Sequence, residues 1–427
     1  MPERPTRIAI IGAGPAGATT AALLAKRGAS VVILDDGKRP ELVVGESLIP
    51  LMVSAFRELG IEEQVKSFGM HKPGVTFTID DETEFKLSFQ AVKGILPTYS
   101  YNVPRREFDQ LLLDMALQSG ATMVTTQVKL DGPHADGAEV RLAPETLVQI
   151  PGWDGAAPDF IIDASGRRRL TAKLLQLKAE SGPRTDVAHF AHYTGCVPPD
   201  PDGQVIISRL KHGWSWRIPL TDGRLSIGVV MNKNAAKEFG ATPEEQLEGV
   251  IESEPRLSAI GQKRQRVTPV ATYANYQLIS ERASGPGWAA VGDSFGFVDP
   301  MLSPGLSMAM ESARVLASSI PAHGGLDART PARLQRYGRW FARSLRHWQS
   351  LVDYFYDGRI FAIYTAGREM SAKRPGRPAE VIEAHISRNL ASMASGAYTS
   401  RLYSRFLLTM LSTFTLRKGA AERYAIR

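Results

Sequence analysis

Residues 8–35 hold the arrangement that most narrows the folds open to this chain. The β-branched run Ile8-Ala-Ile-Ile11 leads into Gly12-Ala-Gly-Pro-Ala-Gly17. An alanine-rich stretch from Ala16 to Arg27 follows, and Val31-Val-Ile-Leu-Asp35 closes the unit. A strand, a glycine turn, a helix and a second strand ending in an acid form the dinucleotide-binding fingerprint of a parallel, doubly wound sheet. Gly12 permits the tight turn, Gly14 lets the backbone approach a pyrophosphate, and Gly17 lets helix and strand pack closely. The helix start, with Ala16 in its first turn, offers free N–H groups and a partial positive charge to phosphates. Asp35 stands where a carboxylate accepts hydrogen bonds from ribose hydroxyls.

At 427 residues the chain exceeds a single core and implies two intimately connected domains. Its 43% hydrophobic and 22% charged residues are ordinary for a soluble globular protein. The net charge of +7 is spread along the chain with a mild excess near the C-terminus. Without aromatic–basic alternation, this reads as a basic but unspecialised surface rather than a nucleic-acid site, with attraction of an acidic protein partner as the alternative. Cys196 is the single cysteine, which excludes an internal disulfide and a thiolate metal cluster. Within Tyr193-Thr-Gly-Cys-Val197 it reads as a small buried residue of a strand. His189 and His192, three apart in a strand, face opposite ways and cannot share a metal; no metal site is expected. The first strand begins at Arg7, leaving no room for a signal peptide, and Phe406–Phe414 is too short to span a bilayer. The expected location is cytoplasmic.

Beyond the first unit, a loop (Val44-Gly-Glu-Ser-Leu-Ile-Pro50) enters a helix through Met52 to Leu59. Val103-Pro-Arg-Arg-Glu-Phe108 introduces an amphipathic helix to Leu117. Strand-like alternation from Thr122 to Ile150 is broken at Gly132-Pro133 and Gly137. Phe160-Ile-Ile-Asp-Ala-Ser-Gly166 repeats the strand-to-glycine design. Antiparallel strands are predicted at 187–193, 205–208, 213–218 and 224–230, further strands at 276–278 and 288–291, and helices from Pro304 onward. Lys373-Arg-Pro-Gly-Arg-Pro378 reads as a short basic loop. The second strong motif is Trp288-Ala-Ala-Val-Gly-Asp-Ser-Phe-Gly-Phe-Val-Asp-Pro300, in which Gly292 allows close approach to a ligand and Asp293 binds a hydroxylated chain. Ser303-Pro-Gly-Leu-Ser-Met-Ala-Met-Glu311 then starts a helix whose N-terminus, at Gly305, faces an electron-rich ring. Three such turns, in this order, meet the pyrophosphate, ribitol and ring of an extended FAD.

These residues resemble the superfamily of FAD-dependent monooxygenases, geranylgeranyl reductases and flavin-dependent halogenases over most of residues 5–330. The resemblance implies an α/β fold: a Rossmann-like FAD-binding domain of the glutathione-reductase type, interleaved with a β-sheet substrate domain and followed by a C-terminal helical region. The implied division gives FAD-binding segments at 1–75, 103–185 and 276–325, substrate-domain strands at 76–102, an antiparallel substrate sheet at 186–275 and helices at 326–427. Matching motif by motif, the resemblance places Gly12, Gly14, Ala16, Gly17, Asp35, Glu46, Ser47, Arg105, Val128, Asp293, Pro304, Gly305 and Leu306 at the cofactor.

Gly213-Trp-Ser-Trp-Arg-Ile-Pro219 looks like the WxWxIP signature of flavin-dependent halogenases. Tryptophans at i and i+2 share one face of a strand, so Trp214 and Trp216 form either a wall keeping substrate from the flavin or a pair of core aromatics. Lys72, at its spacing from Gly45-Glu-Ser47, matches the catalytic lysine of halogenases acting on phenols or carrier-bound pyrroles. Its amine would handle hypohalous acid formed from reduced flavin, O2 and halide, since burial disfavours the ammonium; the alternative is a surface lysine before Pro73. Halogenases usually place a small hydroxyl residue before the glycine at Gly305, and Pro304 there lacks the N–H that helps hold halide. The implied substrate is a small aromatic or acyl intermediate of secondary metabolism, free or carrier-bound. A separate flavin reductase would supply FADH2, since no second nucleotide loop is visible. Non-halogenating monooxygenases, dehydrogenases and polyprenyl-type reductases are the rival enzyme class, and a flavin-binding sensor the non-enzymatic one. Tyr337, Trp340, Phe341, Trp348, Phe355 and Tyr364 either line a substrate pocket or pack helices. The basic, apolar segment Arg401–Arg427 docks an acidic carrier, lies on a membrane surface, or packs with its basic face outward.

Overall fold

Four consecutive buried residues of β1 (Arg7–Ile11) and five of β2 (Ser30–Asp35) give two strands buried on both faces, the pattern of a parallel sheet covered by helices. In the computed structural model, β1 is central to a six-stranded sheet. Its order is Ser284–Gly285, Trp288–Ala290, Phe160–Asp163, β1, β2, Thr122–Thr125, parallel except at the Ser284–Gly285 edge. The structure describes the chain except residues 1–2, 81–82, 134–138, 259, 275–276, 374–376, 415–418 and 427. Helix α1 (Pro15–Ala25) starts with Pro at its first position, where a missing N–H costs nothing. It is apolar around most of its circumference, as a helix packed on several sides must be. Helices Arg105–Gln118 and Pro304–Ser319 pack against it.

A second sheet of eight strands holds the antiparallel elements expected at 187–230. Its order is Gln265–Arg266, Asp186–Thr194, Leu225–Asn232, Gly213–Pro219, Val205–Leu210, Gly74–Thr78, Glu84–Ser88, with Ala271–Ala274 also on Asp186–Thr194. Gly74–Thr78 runs parallel to Val205–Leu210, and Met70–Lys72 pairs instead with Ser100–Asn102. Alternation splits this sheet into two faces. Ile227, Val229, Tyr193 and Ala191 pack on the helix Pro243–Ser253, making a separate small core. That helix begins with a capping box in which Thr242 and Glu245 satisfy each other's backbone N–H groups. The opposite face, with Trp214, Trp216 and Ile207, joins the main core and looks toward the first sheet. Helices Thr330–Tyr356, Arg359–Lys373, Arg377–Ala394 and Leu402–Phe414 complete the chain. Among the described residues no helix is long and apolar enough to cross a membrane.

Several expectations need correction. Cys196 lies beyond the strand Asp186–Thr194, after a left-handed Gly195, and is half-buried. The alternating stretch after Thr125 forms only two-residue strands at Leu130–Asp131 and Arg141–Leu142, and Pro144–Leu147 is helical. Alternation overstated sheet there because, among the described residues, each short strand pairs with the other alone. Gly137 and Tyr276 lie outside the described residues, as do residues 374–376 of the basic stretch; Lys373 ends one helix and Arg377 opens the next. Of the two readings of the six aromatics, packing is the one seen, and none of them lines the main cavity described below. Tyr337, Phe341, Trp348 and Phe355 are buried in helix packing, with the Phe355 ring tilted against Phe77 at a centroid distance of 5.0 Å. The segment from Arg401 does not turn a purely basic face outward: Leu402, Tyr403, Phe406 and Met410 are exposed on its helix.

Candidate active site

Both sheets border one cavity, of about 310 Å³, within the range of small-molecule sites. It is lined by Gly14, Pro15, Ala16, Arg105, Ala164, Gly166 and Asp293, and by Lys72, Phe77, Phe89, Trp214 and Trp216. Glu46, Ser47, Gly305 and Leu306 also line it. Residues from seven separate stretches of sequence thus share one space. Gly12, Gly17, Asp35, Val128 and Pro304 do not line it.

The glycine turn is built as its spacing requires. Gly12 sits at φ +105°, and a Cβ there would lie 2.5 Å from the Ala164 carbonyl oxygen. A Cβ on Gly17 would lie 2.0 Å from the Gly12 oxygen, so helix and turn could not approach. Gly14 differs: at φ −70°, ψ 179° its backbone suits any residue, and an added Cβ would meet nothing within 4 Å. Its bareness leaves cavity space open. Asp35 is engaged inside the protein, accepting from the N–H groups of Ala13 and Gly37, both at 2.8 Å, with Arg39 at 3.0 Å. It braces the turn. Val128 is a partly buried residue against the main core. Asp163 organises the second turn by accepting from Ser165 N–H, Ser165 Oγ and Thr171 N–H.

Asp293 faces the cavity, and no hydrogen-bond donor reaches its carboxylate among the described residues. Burial pushes it up to about 6, with Arg105 and Arg167 acting against the rise. Arg105 is itself held by a two-pronged contact to Asp109 (2.9 and 3.0 Å) and by the Val44 carbonyl. The open space at Gly14 and the unpartnered Asp293 carboxylate suit a pyrophosphate and a hydroxylated chain respectively, the two polar portions of FAD.

Lys72 is no surface lysine. It is 1% exposed, and its Nζ donates to Ser47 Oγ at 2.6 Å and to the Leu48 carbonyl at 2.8 Å, with the Phe89 ring 5.3 Å away. Desolvation pushes the amine down to about 7. A neutral amine has two N–H bonds, which match the two acceptors present. Trp214 and Trp216 stand side by side with ring centroids 5.7 Å apart. Both are buried, and both line the cavity, so the wall and core readings describe the same pair. Pro304 occupies the first position of Pro304–Ser319, after a left-handed Ser303, so the helix end facing the cavity lacks one N–H.

His192, Tyr356 and Asp299 were not assigned to this region from sequence. His192 binds Glu46 at 2.6 Å, both buried. Arg224, which can only donate, reaches His192 Nδ1 at 3.0 Å; the imidazole proton therefore sits on Nε2 and points to Glu46. The strand period that separates His189 from His192 also places His192 on the face of cavity-lining Ala188, which was the available signal. Tyr356 and Asp299 form a buried pair behind Trp214 and carry no local sequence signal. His189 contacts Thr272 and Gln246 on the other side of the sheet, and no metal-binding group of His, Cys, Asp or Glu exists among the described residues.

Fold and cavity together define an FAD-dependent oxidoreductase. A family profile described as tryptophan halogenase matches residues 7–97 and 89–362. The chain is 30% identical over 360 residues to a tryptophan 2-halogenase of Chondromyces crocatus, covering 82% of this chain and 68% of that protein. It is 28% identical over 380 residues to a 1H-pyrrole-2-carbonyl-[peptidyl-carrier protein] brominase of Pseudoalteromonas luteoviolacea, covering 84% and 87%. Among solved structures, the myxobacterial chondrochloren halogenase CndH superposes with a TM-score of 0.71 at 25% identity, covering 83% of each chain. The flavin-dependent brominase Bmp2 triple mutant shares the fold, with a TM-score of 0.75 at 22% identity over 95% of this chain and 99% of that one. The chain belongs to the tryptophan halogenase family, and its cofactor is FAD.

Proposed function

We propose that this enzyme halogenates an electron-rich aromatic substrate, a phenol or a pyrrole tethered to a carrier protein, in the cytoplasm with FADH2 delivered by a separate reductase. The observation that carries the reading is Lys72: a desolvated amine, fixed by two acceptors, in the wall of the cavity that also contains the glycine turn. Gly14, Ala16 and the start of α1 hold the pyrophosphate, with Gly12 and Gly17 shaping that turn and Asp35 bracing it. Arg105 and Asp293 bind the ribityl side, and Gly305, Leu306 and the Glu46-Ser47 loop border the ring. Reduced FAD, when bound, supplies hypohalous acid from O2 and halide. The neutral amine of Lys72 would take the halogen from that acid, the N–halogen bond forming as the O–halogen bond breaks and water leaves with one amine proton. The substrate ring, in an apolar pouch of Val75, Phe77, Phe89 and Val205, then takes the halogen and returns its displaced proton to the amine. Trp214 and Trp216 keep the substrate from the flavin end, which separates halogenation from direct oxygen transfer. Similarity to carrier-protein pyrrole halogenases supports the tethered substrate.

The test combines purified protein, FAD, a flavin reductase, NADH, O2 and bromide, with a simple phenol as trap. Brominated phenol that disappears in Lys72→Ala is the expected result. Hydroxylated product formed equally without bromide overturns it and establishes the second reading, a non-halogenating monooxygenase. Pro304 is the observation favouring that rival, because a halide donor is missing. A Pro304→Ser variant restores the N–H, and one charge-assisted hydrogen bond of about 1.4 kcal/mol predicts a tenfold lower bromide KM. An unchanged bromide KM would show that halide is held elsewhere and remove the rival's support.

A further inference from the structure

Trp214 does not end at the cavity wall. Its indole N–H donates to the Tyr356 hydroxyl at 2.8 Å, and that hydroxyl donates to Asp299 Oδ2 at 2.8 Å; both bonds are buried. The direction is fixed: indole N–H only donates, so the phenol oxygen accepts it and must send its own proton to the carboxylate. Asp299 is wholly buried, and its other oxygen accepts from Met301 N–H at 3.0 Å, capping the 3₁₀ turn Pro300–Leu302. Pro300, Met301, Leu302 and Ser303 line the cavity, as Trp214 does, and this loop leads into the helix bearing Gly305. The Arg184 guanidinium lies 4.0 Å above the Tyr356 ring and is paired with Asp186, so the tyrosine is clamped from its face as well. Tyr356 is the last residue of the helix Thr330–Tyr356.

We propose that Tyr356 is a positioning residue: it fixes the Trp214 indole and ties it to the loop at residues 300–303, so that the substrate wall and the cofactor-side loop hold a single arrangement. The C-terminal helical region thereby sets how well oxidant is confined to the path toward Lys72. Without the phenol, Trp214 keeps a buried N–H with no acceptor, and Asp299 loses one of its two donors. Both groups must then move to find partners, since an unmade buried hydrogen bond is costly. The effect on product yield rests on the halogenase reading; the hydrogen-bond chain itself does not.

The experiment is a double-mutant cycle on the full chain with Tyr356→Phe, Trp214→Phe and the pair together. The first readout is hydrogen exchange of the Trp214 indole N–H, with its resonance assigned by its loss in Trp214→Phe. The second is halogenated phenol formed per FADH2 oxidised, with FAD affinity and melting temperature as controls. Expected in Tyr356→Phe are at least tenfold faster indole exchange and about fivefold lower yield, at unchanged FAD affinity. In the Trp214→Phe background, the same substitution should change yield less than twofold. Exchange and yield both within twofold of the parent would overturn the proposal, as would an equal loss of yield in both backgrounds. Should Tyr356→Phe not fold, Asp299→Asn provides the same test through the next link of the chain. If the parent enzyme forms no halogenated product, the halogenase reading fails, while the indole exchange still decides the role of Tyr356.

Discussion

Lys72→Met is expected to abolish halogenation while making the protein more stable. Loss of the amine should lower product formation by 10²- to 10⁴-fold, the range for losing a group that handles the reacting atom or its proton, with flavin reoxidation continuing. Stability moves the other way. The folded protein holds this lysine near 7 against 10.5 when unfolded. Below pH 7 both states carry the proton and the full desolvation cost is present. Between about 7 and 10.5 only the unfolded chain binds it, so stability rises with pH, and above that window the cost vanishes. At pH 7 the cost is about 4 kcal/mol. Two hydrogen bonds, to Ser47 and Leu48, return about 1 kcal/mol each. The net gain for methionine is roughly 2 kcal/mol, seen as a melting temperature a few degrees higher. Lys72→Arg separates charge from length, because a guanidinium stays protonated and is expected to be both inactive and destabilised. In the parent enzyme the reactive form is the neutral amine, so kcat/KM should rise with pH through about 7. A pH profile flat from 6 to 8, or product formation surviving in the methionine variant, would remove Lys72 from the chemistry.

Gly14→Leu should yield a folded but colourless protein. The Gly14 backbone lies in extended space open to any residue, and an added Cβ meets no protein atom within 4 Å. Its side chain therefore enters the cavity rather than the fold. Melting of the apoprotein should stay within a degree or two of the parent, and FAD affinity should fall at least 100-fold, equivalent to about 2.7 kcal/mol. Gly17→Ala behaves oppositely: its Cβ would sit 2.0 Å from the Gly12 oxygen, so the apoprotein itself should lose stability. Equilibrium FAD titration followed by flavin fluorescence, beside calorimetry of the apoproteins, distinguishes the two. A Gly14→Leu protein that still takes up FAD normally would place the pyrophosphate elsewhere.

Much of this architecture is local in origin and was legible for that reason. The spacing Gly12, Gly14, Gly17 specifies one turn between β1 and α1, whatever lies around it. Period-two alternation located the strands at 187–230, and both tryptophans did fall on one strand face. Alternation failed after Thr125 because a strand needs partners, and among the described residues Leu130–Asp131 and Arg141–Leu142 pair with each other alone. The aromatics of Thr330–Tyr356 illustrate a different limit. Tyr337 and Phe341 pack as core while Tyr356 orients a cavity residue, and helical spacing cannot tell these uses apart.

What the chain specified by itself was the class of cofactor and the face on which Trp214 and Trp216 lie, because both follow from backbone geometry over a few residues. Tertiary structure alone decided three things: that Lys72 is desolvated, that Asp35 is bound to its own turn, and that His192 and Tyr356 stand behind the cavity. Burial and hydrogen-bond partnership depend on segments far apart in sequence, 146 residues in the case of Glu46 and His192. The charge state of an amine is set by the surroundings that folding assembles around it.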